Sequence, residues 1–143
     1  MRFSERIKQQ MQAPEWTDYR QRTRVYALER DYIATRPALN KLLARDETVV
    51  LFNRLTVEGR TKPKVIFTDG VRPYAKPFHN EVYMPTQLCT PYMVAHEVWH
   101  HNTQGRTHGP AWVNPYFDTL LELDSTLDRS ELYAIAHKYG VKF

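Results

Sequence analysis

Apolar and polar positions follow two periods along this chain, and the changes of period mark out its elements. From about Thr17 to Thr35 the spacing predicts a helix in which charged residues alternate with Tyr19, Tyr26 and Tyr32; Arg36-Pro37 breaks it. Ala38 to Ala44 reads as a short helix started by Pro37. Glu47 to Glu58 is ambiguous: its β-branched residues suit a strand, while Asp46 as a cap and the Leu51/Leu55 spacing suit a helix. Lys64 to Thr68 alternates as a strand and closes at the Asp69-Gly70 turn. Arg72 to His79, with two prolines, reads as a loop, and Glu81 to Met84 as a second strand stopped by Pro85. Thr90-Pro91 is a helix start, a capping hydroxyl followed by proline at the first helical position, with Gly105 as the stop. Two more helices are expected. One runs from Pro115 to Leu123; the other, from Arg129 to Tyr139, opens on Asp128-x-x-Glu131 and ends at Gly140.

Composition narrows the class. A chain of 143 residues that is 42% hydrophobic and 13% aromatic can bury a core, so residues 1–143 are expected to form one domain. Cys89 is the sole cysteine, and an internal disulfide is excluded. No apolar run follows Met1-Arg2-Phe3-Ser4-Glu5-Arg6, and no stretch approaches the ~18 apolar residues of a membrane span. The expectation is a soluble cytoplasmic protein without a membrane partner.

The chemistry concentrates in His96-Glu97-Val98-Trp99-His100. On a helix His96 and His100 lie one turn apart on the same face, so both imidazoles can reach one ion. Glu97 adjoins the first ligand, off the metal but near its open position, where a general base belongs. His108 is the candidate third ligand, in a loop opened by Gly105 and closed by Gly109-Pro110. Arg106, two residues earlier, stays protonated and cannot coordinate. Glu122 and Asp118 are the reserve ligands. His101 points about 100° away around the helix and reads as a surface residue or one behind the ligands. Cys89, seven residues before His96, reads as a small buried residue at a strand-to-helix junction rather than a metal ligand.

His96-Glu97-x-x-His100, then a loop, then His108-Gly109-Pro110-Ala111-Trp112, resembles the SprT-like (Spartan-type) zinc metallopeptidase core. The chain is also similar to a small family of metallohydrolases from actinobacteria and their phages, through Gln21-Arg22-Thr23-Arg24-Val25-Tyr26-Ala27 and the ending Tyr139-Gly140-Val141-Lys142-Phe143. The resemblance implies an α+β, zincin-like fold in which a small, mostly antiparallel sheet packs on the metal helix, with helices flanking it. It favours a helix for residues 47–58. It implies Zn2+ held by His96, His100 and His108, with Glu97 as base for peptide-bond hydrolysis. In such a fold the strand Asn80 to Met84 would be an edge along which a polypeptide substrate aligns. Pro115 departs from the pattern: either a turn covers Gly109 to Val113 and the helix restarts, or the helix is kinked. Tyr83, Tyr92, Tyr116 and His79 are candidates for stabilising an oxyanion. Two other classes stay open: a zinc hydrolase of a small amide or other non-peptide bond, and a binding module that zinc merely stabilises.

Charge is uneven. Residues 1–64 carry a net +6 and residues 65–143 a net −2. Arg20, Arg22, Arg24 and Arg30 interleave with tyrosines, which allows weak, non-specific DNA binding. The plainer reading is a solvated helix face with Glu29 and Asp31 as local partners and the tyrosines turned into the core.

Overall fold

The structure is a computed structural model that describes residues 14–143, so the expectation for the first residues, Met1 to Arg6, lies outside the described residues. Helix α1, Pro14–Asp31, passes through a 3-10 turn at Ile33–Thr35 into α2, Pro37–Asn40, and α3, Arg45–Leu55. Strands β1, Lys64–Thr68, and β2, Tyr74–Lys76, are followed by a 3-10 turn at Pro77–His79 and by β3, Glu81–Pro85. Helices α4, Pro91–Thr103, α5, Pro110–Leu123, and α6, Arg129–Lys138, complete the chain. Among the described residues this is an α+β arrangement of six helices and one three-stranded mixed sheet.

The ambiguous 47–58 segment is helical. Thr48 and Phe52, one turn apart, are buried, and the Glu47 carboxylate accepts from the Ala44 backbone N–H at 2.9 Å. Asp46 lies in the first turn rather than at the cap. The Asp128 side chain caps α6 as expected, accepting from the Glu131 N–H at 3.0 Å, and Gly140 takes the left-handed φ of 75° that ends the helix.

The sheet departs from expectation in two ways. Its order is β1-β3-β2, so the strand over Asn80 to Met84 is central and not the edge. It pairs parallel with β1, Val65 opposite Val82, and antiparallel with β2, Tyr74 opposite Tyr83; the sheet is therefore mixed rather than mostly antiparallel. The segment expected to be a loop supplies the missing edge. Pro73 and Pro77 bracket three residues, and a proline has no N–H to donate, so a strand there must be short and peripheral.

Helix α4 runs between two apolar clusters. Ala95 faces the helices, packed with Val25, Leu28, Trp112, Val113 and Phe117 among others. Val94 and Val98, one turn apart, face Phe52, Val82, Met84 and Cys89 on the sheet side. Each fully buried valine contributes about 1.5–3 kcal/mol relative to an exposed one. Thr90 occupies the N-cap position with Pro91 after it, but its hydroxyl makes no capping bond. Gln104, with φ 52°, and not Gly105, takes the left-handed residue that terminates α4.

Helix α5 is continuous from Pro110 and contains Pro115, so neither the turn nor the restart occurs. Pro115 falls early enough that the bond it cannot make would go to Ala111, an exposed residue whose carbonyl can meet water. No helix among the described residues is long and apolar enough to cross a membrane.

Candidate metal centre

His96 and His100 of α4 and His108 of the loop before α5 are all buried, and their ligand atoms lie within 4.8 Å of one another. His100 Nε2 is 3.1 Å from His108 Nε2, which is 3.3 Å from His96 Nε2. Three nitrogens at about 2.0–2.1 Å from one tetrahedral ion would stand about 3.3–3.4 Å apart, so the observed spacing suits such an ion. The reserve ligands are elsewhere. Glu122 is exposed and bound to Arg54 at 2.8 Å, and Asp118 is exposed and bound to Arg129 at 3.0 Å.

The outward nitrogens decide the tautomers. His100 Nδ1 faces the Gly105 carbonyl at 3.0 Å, and a carbonyl only accepts, so Nδ1 carries the proton. His96 Nδ1 donates to Glu29 Oε2 at 2.6 Å. His108 Nδ1 lies 3.3 Å from both carboxylate oxygens of Asp18, and the His108 backbone N–H also donates to Asp18. When the rings are neutral and all three Nδ1 atoms are so engaged, three Nε2 lone pairs converge, and one metal ion can accept them all. The donor set therefore fits a metal ion, and its outer hydrogen bonds are those that orient metal-bound imidazoles.

Sequence reasoning missed these partners. Glu29 and Asp18 both come from α1, the basic helix, 67 and 90 residues from the histidines they hold. Asp31 does pair with Arg30 at 2.8 Å, but Glu29 is buried against His96 and accepts from the Tyr116 hydroxyl at 2.6 Å. The presence of Asp and Glu on a helix otherwise rich in arginine was the only signal, and surface ion pairing explains that pattern equally well. The tyrosines correct a second expectation: Tyr19 and Tyr26 are exposed, at 61% and 46%, and not turned into the core. Tyr26 lies over the site, its ring 5.7 Å from those of both His96 and His108. Burial raises its hydroxyl pKa, helped by the charges of Glu97 and Glu29 and opposed by Arg22 and Arg72.

Behind the imidazoles stands Trp112, whose orientation is now defined. Its ring stacks on His100 at 5.1 Å and on Tyr116 at 4.6 Å, and its indole N–H donates to the His96 carbonyl at 3.3 Å. Glu97 is buried with Oε1 3.8 Å from His96 Nε2. Burial lifts its carboxyl to about 7, with His96 pulling the other way and Glu29 adding to the rise. Burial likewise depresses His108, to about 4, and the charge of His96 adds to that while Asp18 opposes it. His100 falls well below its ordinary value, again first through burial.

Other singled-out residues lie outside the centre. His101 is fully buried, not at the surface, with Nε2 2.6 Å from the Thr61 carbonyl. The Cys89 thiol is buried and bonded to the Pro85 carbonyl, as a junction residue should be. Tyr83 stacks on Tyr74 on the sheet, and His79 is exposed in a 3-10 turn. Tyr116 is committed to Glu29. Tyr92 lines a groove on the His96 side of Tyr26, and a second groove opens on the His100 and His108 side. Comparison with family models, with curated proteins and with solved structures finds no match to this chain.

Proposed function

We propose that this chain is a zinc-dependent metallopeptidase of the SprT-like, zincin type, with His96, His100 and His108 holding the ion and Glu97 as general base. What carries the reading is the convergence of three oriented Nε2 atoms beside a buried glutamate that is not one of the ligands. Among the described residues the cluster has no fourth histidine, cysteine, aspartate or glutamate, which favours a reactive centre over a closed structural one. Zinc held there would supply Lewis-acid polarisation of a carbonyl and a lowered pKa for water.

This chain's residues account for the rest. Glu97, buried beside His96 but not among the three converging nitrogens, accepts the proton of the attacking water and delivers it to the leaving amine. Glu29, Asp18 and the Gly105 carbonyl keep the imidazoles aimed inward. Tyr26, over His96 and His108, is the phenol we assign to steady the negative oxygen. The grooves on both sides of Tyr26 suit an extended chain better than a small amide, which would call for an enclosed pocket. The edge strand beside the groove is β2, whose Tyr74, Ala75 and Lys76 line it, rather than the strand at Asn80 to Met84.

Glu97→Gln keeps the shape and removes the base. Zinc content should be unchanged while peptide hydrolysis falls by ~10²–10⁴. Metal analysis and turnover of a casein-type substrate check this; near-full activity in the variant overturns the assignment.

A further inference from the structure

The groove on the His100 and His108 side has a charge balance that the metal chemistry does not use. Around it stand Arg22 of α1, Lys76 of β2 and Arg106 of the loop before α5, with Glu97, His100 and His108 at its floor. Among the described residues no carboxylate lies within ion-pairing distance of any of the three cations. Two of them are held by rings instead, which keep the charge: Arg22 lies 5.3 Å from the Tyr19 ring centroid and Lys76 4.9 Å from that of Tyr83.

The groove on the other side of Tyr26 contrasts with it. There Tyr92 and Met93 supply apolar wall, Arg30 is paired with Asp31, and Arg72 shares the lining with two carboxylates, Glu29 and Glu97. In the first groove Glu97 is the one carboxylate against Arg22, Lys76 and Arg106, so the lining keeps a net positive charge, and such a cleft draws in anions.

We infer that the site takes polypeptides bearing a carboxylate beside the scissile bond, held in the groove between Arg22, Lys76 and Arg106. The inference rests on the peptidase reading of the same centre and names its substrate class. Guanidinium groups match a carboxylate in geometry as well as charge. The carboxylate can come from an aspartate or glutamate side chain or from a chain terminus. A nucleic-acid backbone fits less well. Tracking phosphates takes a stripe of cations, and the basic face of α1 is divided: Arg22 lines the groove, while Arg24 donates to the Gly140 carbonyl at 3.2 Å.

The test uses the zinc-loaded full chain and short peptides of one sequence, each read for binding by fluorescence anisotropy and for cleavage by mass spectrometry. One peptide carries Glu and an amidated end, one the Gln isostere with an amidated end, one Gln with a free terminal carboxylate, and one Lys. The Glu peptide should bind about five- to tenfold more tightly than the Gln isostere at low salt, and the gap should narrow as salt rises. Arg22→Gln, Lys76→Gln and Arg106→Gln should each reduce that ratio, and Lys138→Gln, on the exposed end of α6, should not. If the free terminus reproduces the preference, the carboxylate is terminal; if only Glu does, it is a side chain. Cleavage with no discrimination between Glu, Gln and Lys overturns the subsite and leaves the peptidase reading. Charge-selective binding that depends on the three cations, with no peptide cleaved, keeps the subsite and overturns the peptidase reading. Tighter binding of a single-stranded oligonucleotide through the same three residues overturns the carboxylate in favour of phosphate.

Discussion

The two flanks of α4 carry out opposite tasks. On the helical flank the polar groups are buried and committed: Glu29 joins His96 to Tyr116, Trp99 donates to Thr119 at 2.8 Å, and Trp112 stacks on both His100 and Tyr116. On the sheet flank β2 has three residues, its pairing partner is β3 alone, and Tyr74 is half exposed. The difference follows from what each flank must tolerate. Converging imidazoles need fixed directions, which a dry, fully bonded interior supplies. An open wall must leave backbone groups and charges available, so it cannot be packed in the same way.

The largest effect expected on the helical flank comes from His108→Ala. Metal at about 100 times its Kd should stabilise the native chain by about 2.7 kcal/mol, and a chelator should remove that gain. In the variant the metal-dependent shift of the melting temperature should vanish. A full shift would return the third-ligand role to another residue.

Next comes the support behind the ligands. Glu29→Gln should lower metal affinity by ~10–100-fold, because the carboxylate that orients His96 is lost. Competition with a chromogenic chelator measures it; unchanged affinity would mean that packing against Trp112 and Tyr116 orients the ring by itself.

Across α4 the corresponding change is milder. Tyr74→Ala removes a cross-strand stack of 4.6 Å at a half-exposed site and should cost about 0.5–1.5 kcal/mol of stability with metal affinity unaltered. A loss of metal affinity there would erase the distinction between the flanks.

The smallest effect is a pH dependence away from the centre. Burial pushes the Asp124 carboxyl up, but its bonds to Thr126 and to Arg36, at 2.6 Å, bring it below its ordinary value of 3.8. A depressed native pKa means stability that is complete above 3.8 and lost as pH falls through the native value. Asp124→Asn should therefore be less stable at neutral pH, with the difference from the parent chain shrinking below pH 3.8 in urea titrations. A gap that stays constant through acid would assign the loss to packing.

Much of this molecule was legible without coordinates because the signals are local. The i, i+4 spacing of His96 and His100, the Thr90-Pro91 start, the alternation of Lys64 to Thr68 and the Asp128 cap each act within a few residues, so their geometry follows from backbone periodicity. What only the tertiary structure decided depends on segments distant in the chain. The choice of His108 over Glu122 and Asp118, the central place of β3, the strand between Pro73 and Pro77, and the burial of Glu29 and Asp18 against the histidines all belong here. No local pattern distinguishes a carboxylate that solvates a basic helix from one that holds an imidazole 67 residues away; the packing of α1 against α4 makes that distinction, by burying one acid and leaving its neighbour Asp31 in water.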